Sequence, residues 1–227
     1  MGSDNLIYRA AVWIVPLVIA IVFHEVAHGW VARLLGDPTA AEQKRLSFNP
    51  LRHIDPIGTV VLPLGLALAS APVFGWAKPV PVNYRRLREP RTGMMLVALA
   101  GPATNVVLAL IGAVLLGLTI ATVSAPVGAA RFVVDALFAF IAINVFLALF
   151  NLLPIPPFDG GHVVGGLLPR RAVPAWTKLA RFGFPLLFVL LVLVPMLAPQ
   201  WNLVERFVVP PARAVTGWFI GIAAAIA

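Results

Sequence analysis

The sequence predicts an all-α integral membrane protein of five to six transmembrane segments, one of them re-entrant or short and only membrane-associated. Three observations predict it. Hydrophobic residues make up 60% of the 227-residue chain and charged residues only 11%, far from the roughly 45–50% and 25% of a water-soluble domain. Apolar runs recur along the whole chain, so the excess is not one anchor on a soluble head. Basic residues gather in the short connections between those runs, where cytoplasmic loops concentrate positive charge.

The apolar runs, in order, are Leu6 to Leu35, Ile57 to Ala71, Thr92 to Val123, Phe132 to Leu153, Phe182 to Leu197 and Phe207 to Ala227. The second is the odd one. It is shorter than the roughly 20 residues a spanning helix needs, and Gly58, Pro63 and Gly65 weaken it as a helix. Lys44, Arg45 and Arg52 precede it, and Lys78, Arg85, Arg86, Arg88 and Arg91 follow it, so both flanks read as cytoplasmic and the run re-enters without crossing. The loop with Arg170, Arg171, Lys178 and Arg181 then falls inside. The loops at Ser124 to Arg131 and Pro199 to Arg206 fall outside, which gives five spans with the amino terminus outside; six spans are the alternative. Non-helical backbone at membrane depth is tolerated only inside protein or beside a wet cavity, so a re-entrant segment hints at a cavity.

One domain covers residues 1–227, with a core of about 6–165 and further transmembrane segments at about 182–227. The net charge of +8 reads as orientation in the lipid bilayer, and no nucleic-acid partner is expected. Cysteine is absent, which excludes disulfides and thiol chemistry. The first run lacks a small-residue cleavage site and carries the chemistry described next, so it is not read as a removable signal peptide. Trp13, Trp30, Trp76, Trp176, Trp201 and Trp218 lie mostly near run ends and read as interfacial anchors.

Within the first run stands His24-Glu25-Val26-Ala27-His28. On a helix His24 and His28 are one turn apart on one face, so both imidazoles reach a single zinc ion, with Glu25 beside them to take a proton from water. Three ionisable groups in an apolar helix are costly without such a role. A catalytic zinc usually has three protein ligands and an open position. Asp159 is the favoured third ligand, in Asn151-Leu152-Leu153-Pro154-Ile155-Pro156-Pro157-Phe158-Asp159-Gly160-Gly161-His162, and His162 is its rival. The prolines end the fourth run and the glycines permit close backbone approach. Both motifs fall near the cytoplasmic ends of runs that travel the same way.

His24-Glu25-x-x-His28 paired with Asn151-x-x-Pro154-x-Pro156-x-x-Asp159-Gly160 resembles the site-2 protease family. The resemblance implies that Zn2+ is held by His24, His28 and Asp159 and that Glu25 is the catalytic base. It extends to Gly101-Pro102-Ala103-Thr104-Asn105, similar to the family's glycine-and-asparagine motif, and to Gly75-Trp76-Ala77-Lys78-Pro79-Val80-Pro81-Val82-Asn83, similar to a segment of compact bacterial members. Many members carry a PDZ domain where only the loop from Ser124 to Arg131 stands here. Asn105 and Asn151 are candidate substrate or oxyanion contacts. For Asn105 the other reading is an interhelical contact to Asn144 or Asn151, and for Asn151 a turn-shaping role. His53 and Asp55 could suggest a second metal site, but they read as an interfacial loop turn.

These readings predict a zinc metalloendopeptidase in the cell membrane, multi-pass, with its site near the cytoplasmic face. It would cut transmembrane segments of single-pass membrane proteins or membrane-embedded remnants. The alternative is a membrane metal transporter using the same His/Asp cluster, which has no need of Glu25. A catalytically silent scaffold would have been free to lose any of the four residues.

Overall fold

The computed structural model describes residues 5–69, 75–123 and 125–227. Ser70 and Ala71, at the end of the second apolar run, and Ser124, at the start of the loop to Arg131, lie outside the described residues. The described residues form helices joined by turns and extended segments, with no strand among them.

Helix α1 covers Leu6–Leu34 and starts where the Asn5 side chain accepts the Ile7 N–H, satisfying one of the donors a helix start leaves free. A tight turn follows, in which Gly36 takes φ +107°, a conformation that disfavours a Cβ. After the short α2, Thr39–Glu42, comes α3, Pro56–Leu68, too short to cross. Asp55 caps it by accepting from Ile57 and Gly58. Helices α4, Pro90–Thr122, and α5, Gly128–Asn151, are both long and apolar enough to span. The polar end of the molecule then carries α6, Asp159–Leu167, and α7, Val173–Ala180, which meets α8, Gly183–Leu197, at a bend of 61°. Helix α9, Val204–Ile226, closes the bundle.

Contacts fix the directions. Tyr8 meets Phe132 and Asp135, and Val12 and Ala20 pack with Ala139 and Ile143, so α1 and α5 are parallel. Helix α4 runs against both, with Val97 beside His28 and Asn105 beside His24. The Arg88 N–H donates to the Leu35 carbonyl at 3.0 Å. The chain between these residues therefore leaves and returns at one end of the bundle, and α3 is not a net crossing. That agrees with the re-entrant reading.

The carboxy-terminal part differs from expectation. A Cβ on Gly117 of α4 would lie 2.6 Å from the Ala223 carbonyl and 2.7 Å from Ile226. Helix α9 therefore runs parallel to α4, and its first turn stands at the end of the bundle that holds Asp159. Residues 198–203, at most about 20 Å when extended, cannot return from the far side to that turn. Gly183 also packs on Pro156 and Pro157. The run from Phe182 to Leu197 thus begins and ends toward the Asp159 end of the bundle, and the loop from Pro199 to Arg206 lies on that side, opposite to its predicted place. Four helices span.

Small residues let the spans touch. Ala109, Ala113 and Leu116 of α4 are fully enclosed with Ile141 and Phe219, and Gly112 lies against Phe140 and Ile141. Lipid gives apolar side chains no reason to leave it, so close backbone packing does the holding. The opposite face of α4, with Val107, Ile111 and Leu118, is exposed and suits hydrocarbon.

Candidate active site

His24 and His28 sit on the face of α1 turned toward α4. The Nδ1 atom of His28 is 2.7 Å from the Val97 carbonyl, which only accepts, so that nitrogen carries the proton. The Nδ1 atom of His24 is 2.5 Å from Oδ1 of Asn105, whose amide nitrogen donates to Oδ1 of Asn144 at 2.8 Å. This fixes the Asn105 orientation, and His24 too is protonated at Nδ1. In its neutral form each imidazole then presents an unprotonated Nε2 toward the same space.

Gly101 makes that possible. A Cβ there would come within 2.5 Å of His24 Cε1 and His28 Nε2, so any side chain would displace both rings. The glycine of the Gly101-Pro102-Ala103-Thr104-Asn105 motif supplies room for the rings, and its asparagine holds one of them.

Asp159 arrives as the first residue of α6. The turn before it is tight: a Cβ on Gly160 would lie 2.3 Å from the Leu152 carbonyl, and one on Gly161 2.8 Å from the Pro156 nitrogen. Trp176 of α7 braces the same turn by donating to the Gly161 carbonyl at 3.0 Å. The carboxylate then stands 3.2 Å from His24 Nε2 and 3.5 Å from His28 Nε2. One ligand atom from each of the three residues lies within 4.8 Å of the others.

The donor set fits a zinc ion. Two imidazole lone pairs and a carboxylate converge with no proton assigned between them, and Oδ2 of Asp159 is enclosed without a hydrogen-bond partner. That arrangement is repulsive until a cation or proton enters, and His₂ plus one carboxylate leaves a tetrahedral position open. His162 is exposed and is not one of the three residues that converge.

Glu25 lies beside this cluster and faces another element. Its Oε2 accepts the Val80 N–H at 2.8 Å, within the extended segment from Gly75 to Asn83. That segment is tied down elsewhere: Trp76 and Lys78 donate to the Gly58 and His53 carbonyls, and Asn83 donates to Oδ2 of Asp37 at 2.5 Å. Asp37 is fully enclosed. Burial pushes its carboxyl up, but hydrogen bonds from Thr39 and Asn83 and the nearby Arg86 more than offset this and hold it below the usual carboxylate range. Sequence reasoning missed Asp37 and Val80; the Gly36-Asp37-Pro38 turn signal was the only trace of the first.

The other residues singled out fall as follows. Asn105 is fully enclosed and its polar atoms are engaged within the bundle, so the structure brings it to His24 and Asn144 and to no open surface. Asn151 donates to the Leu147 carbonyl within the last turn of α5 at 3.0 Å. His53 bonds the Ser47 carbonyl at 2.8 Å, and with the Asp55 cap it makes a turn. Trp76 and Trp176 pack inward, Trp76 against Gly58 and Phe184, whereas Trp13, Trp30, Trp201 and Trp218 are exposed.

Spans of this kind around a His-Glu-x-x-His helix and a third carboxylate define a multi-pass membrane metalloprotease. The chain belongs to peptidase family M50, the site-2 proteases, whose family model matches residues 12–194. YwhC of Bacillus subtilis is 39% identical over 184 residues, covering 81% of this chain and 80% of that protein. Rip2 of Mycolicibacterium smegmatis is 31% identical over 198 residues, covering 85% and 73%. MJ0611 of Methanocaldococcus jannaschii is 34% identical over 143 residues, 63% of each chain. All three bear the description of a candidate zinc metalloprotease. No solved structure matches the chain. The transporter reading gives way to the enzyme.

Proposed function

We propose that the chain is a zinc-dependent intramembrane endopeptidase that cuts transmembrane segments of single-pass membrane proteins, or membrane-embedded remnants of an earlier cut, at a site near the cytoplasmic face. The observation that carries this is the convergence of the His24 and His28 Nε2 atoms on Asp159 between spanning helices.

In this reading His24, His28 and Asp159 hold the metal, and bound zinc supplies a Lewis acid for the scissile carbonyl and lowers the pKa of water toward 7. Glu25 accepts one proton from the attacking water as the new C–O bond forms. It returns that proton to the amine nitrogen as the C–N bond breaks. The Val80 N–H on Oε2 steadies the carboxylate. Asn105, and Asn144 behind it, set the tautomer and angle of His24. Asn151, at the end of α5, is close enough in sequence to the Pro-rich turn to shape it, and a substrate contact from it is the remaining expectation.

A substrate reaches a site enclosed by spans from the side. Its helix must unwind there, because helical carbonyls are engaged in hydrogen bonds. Membrane-embedded single-pass proteins meet both conditions, and the basic segments at the Asp159 end support a cytoplasmic placement.

The test is cleavage of a panel of single-pass substrates by the purified protein in detergent, with and without a chelator. Chelator-sensitive products are expected. Their absence across the panel, with zinc bound, would remove the proposal.

A further inference from the structure

A basic cleft of about 490 Å³ lies away from the zinc ligands, at the same end of the bundle, lined by Arg88, Glu89, Arg91, Thr92, Gly166 and Arg170. Three chain segments meet there: the approach to α4, the first turn of α4, and the end of α6 with the residues just after it. Three guanidinium groups face one carboxylate. Arg88 and Arg170 are exposed and make no side-chain hydrogen bond or ion pair among the described residues. Arg91 donates from Nη2 to the Leu168 carbonyl, and its Nε is enclosed without a partner. Pro90 opens α4 and Glu89 makes no side-chain cap, so the start of this 33-residue helix also turns uncapped N–H groups and its positive dipole end toward the cleft.

We infer that this cleft binds a phosphodiester, and that its source is the headgroup of an anionic phospholipid. The charge, the concavity and the free donors call for an anion with several acceptor oxygens. The place selects the lipid: the apolar run of α4 starts within this turn, at Thr92, directly after Arg88 and Arg91, and basic pockets at the ends of spanning helices take anionic headgroups. Occupancy would link α6 to α4, since Gly166 already sits against Met95 and Arg91 holds the end of α6. The headgroup would thus brace the helix that begins with Asp159.

The test uses the full chain in nanodiscs of phosphatidylcholine with and without phosphatidylglycerol, and native mass spectrometry to count retained lipid. Phosphatidylglycerol should be retained, and the Arg88→Gln/Arg170→Gln protein should bind it roughly 30-fold more weakly, from the worth of a basic side chain near an anionic surface. An unchanged zinc content shows that the variant is folded. A second arm titrates inorganic phosphate into detergent-solubilised protein. Phosphate binding sensitive to the same substitutions, without lipid retention, would reassign the source to a soluble anion. Equal retention by wild type and variant would overturn the site.

Discussion

The Nδ1 atom of His24 lies 2.5 Å from the amide oxygen of Asn105, 81 residues further along the chain, and Asn144 holds the other side of that amide. Three helices thus set the tautomer of one imidazole. Asn105→Ala should leave the three ligands in place and weaken zinc binding about 10–100-fold, as read by titration against a competing chelator. Unchanged affinity would limit Asn105 to helix packing.

Gly101→Ala tests the space itself. With a methyl group 2.5 Å from both rings, zinc per chain should fall well below one. Gly221→Ala, which meets nothing within 4 Å, is the control and should keep full zinc. Full zinc in both would mean that α1 and α4 separate more easily than this packing indicates.

What could be read in advance and what could not divides along physical lines. The spacing of His24 and His28 follows from helix geometry alone, and Asp159 was traceable because prolines and glycines announce a turn beside it. Asn105 is different. A mid-span amide signals some partner, and the interhelical contact to Asn144 was among the readings and is present, but no spacing rule on separate helices pointed to His24. The role of Gly101 was equally hidden, because it consists of an absent side chain. The course of the run from Phe182 to Leu197 was hidden for a related reason: it has the length and apolarity of a short span, and only the packing of Ala223 and Ile226 on Gly117 and of Gly183 on Pro156 and Pro157 brings both of its ends toward the Asp159 end of the bundle.

That difference is open to labelling. Single cysteines at Ala41, Asn83 and Asn202 should react from one side of sealed membranes and a cysteine at Val127 from the other, against a cysteine-free background. Asn202 reacting with Val127 would restore the crossing of α8, and opposite labelling of Ala41 and Asn83 would make α3 a span.

Asp37 predicts a pH dependence outside the membrane. Its carboxyl titrates below its unfolded value of about 3.9, so its contribution to stability is fully present above that value. It is lost as pH falls through the folded value. The thermal midpoint difference between wild type and Asp37→Asn should stay constant from about pH 5 to 8 and shrink below about pH 4. A difference that grows on acidification would contradict the assignment.

The most direct test of the whole account is cleavage by zinc-loaded Glu25→Gln. The amide keeps the shape of Glu25 but lacks its basicity, so the variant should fold, hold one zinc and still capture a transmembrane substrate. Cleavage should fall by at least the roughly 10²–10⁴-fold that a positioned general base contributes. Near wild-type cleavage by the zinc-loaded variant would contradict the proposed chemistry.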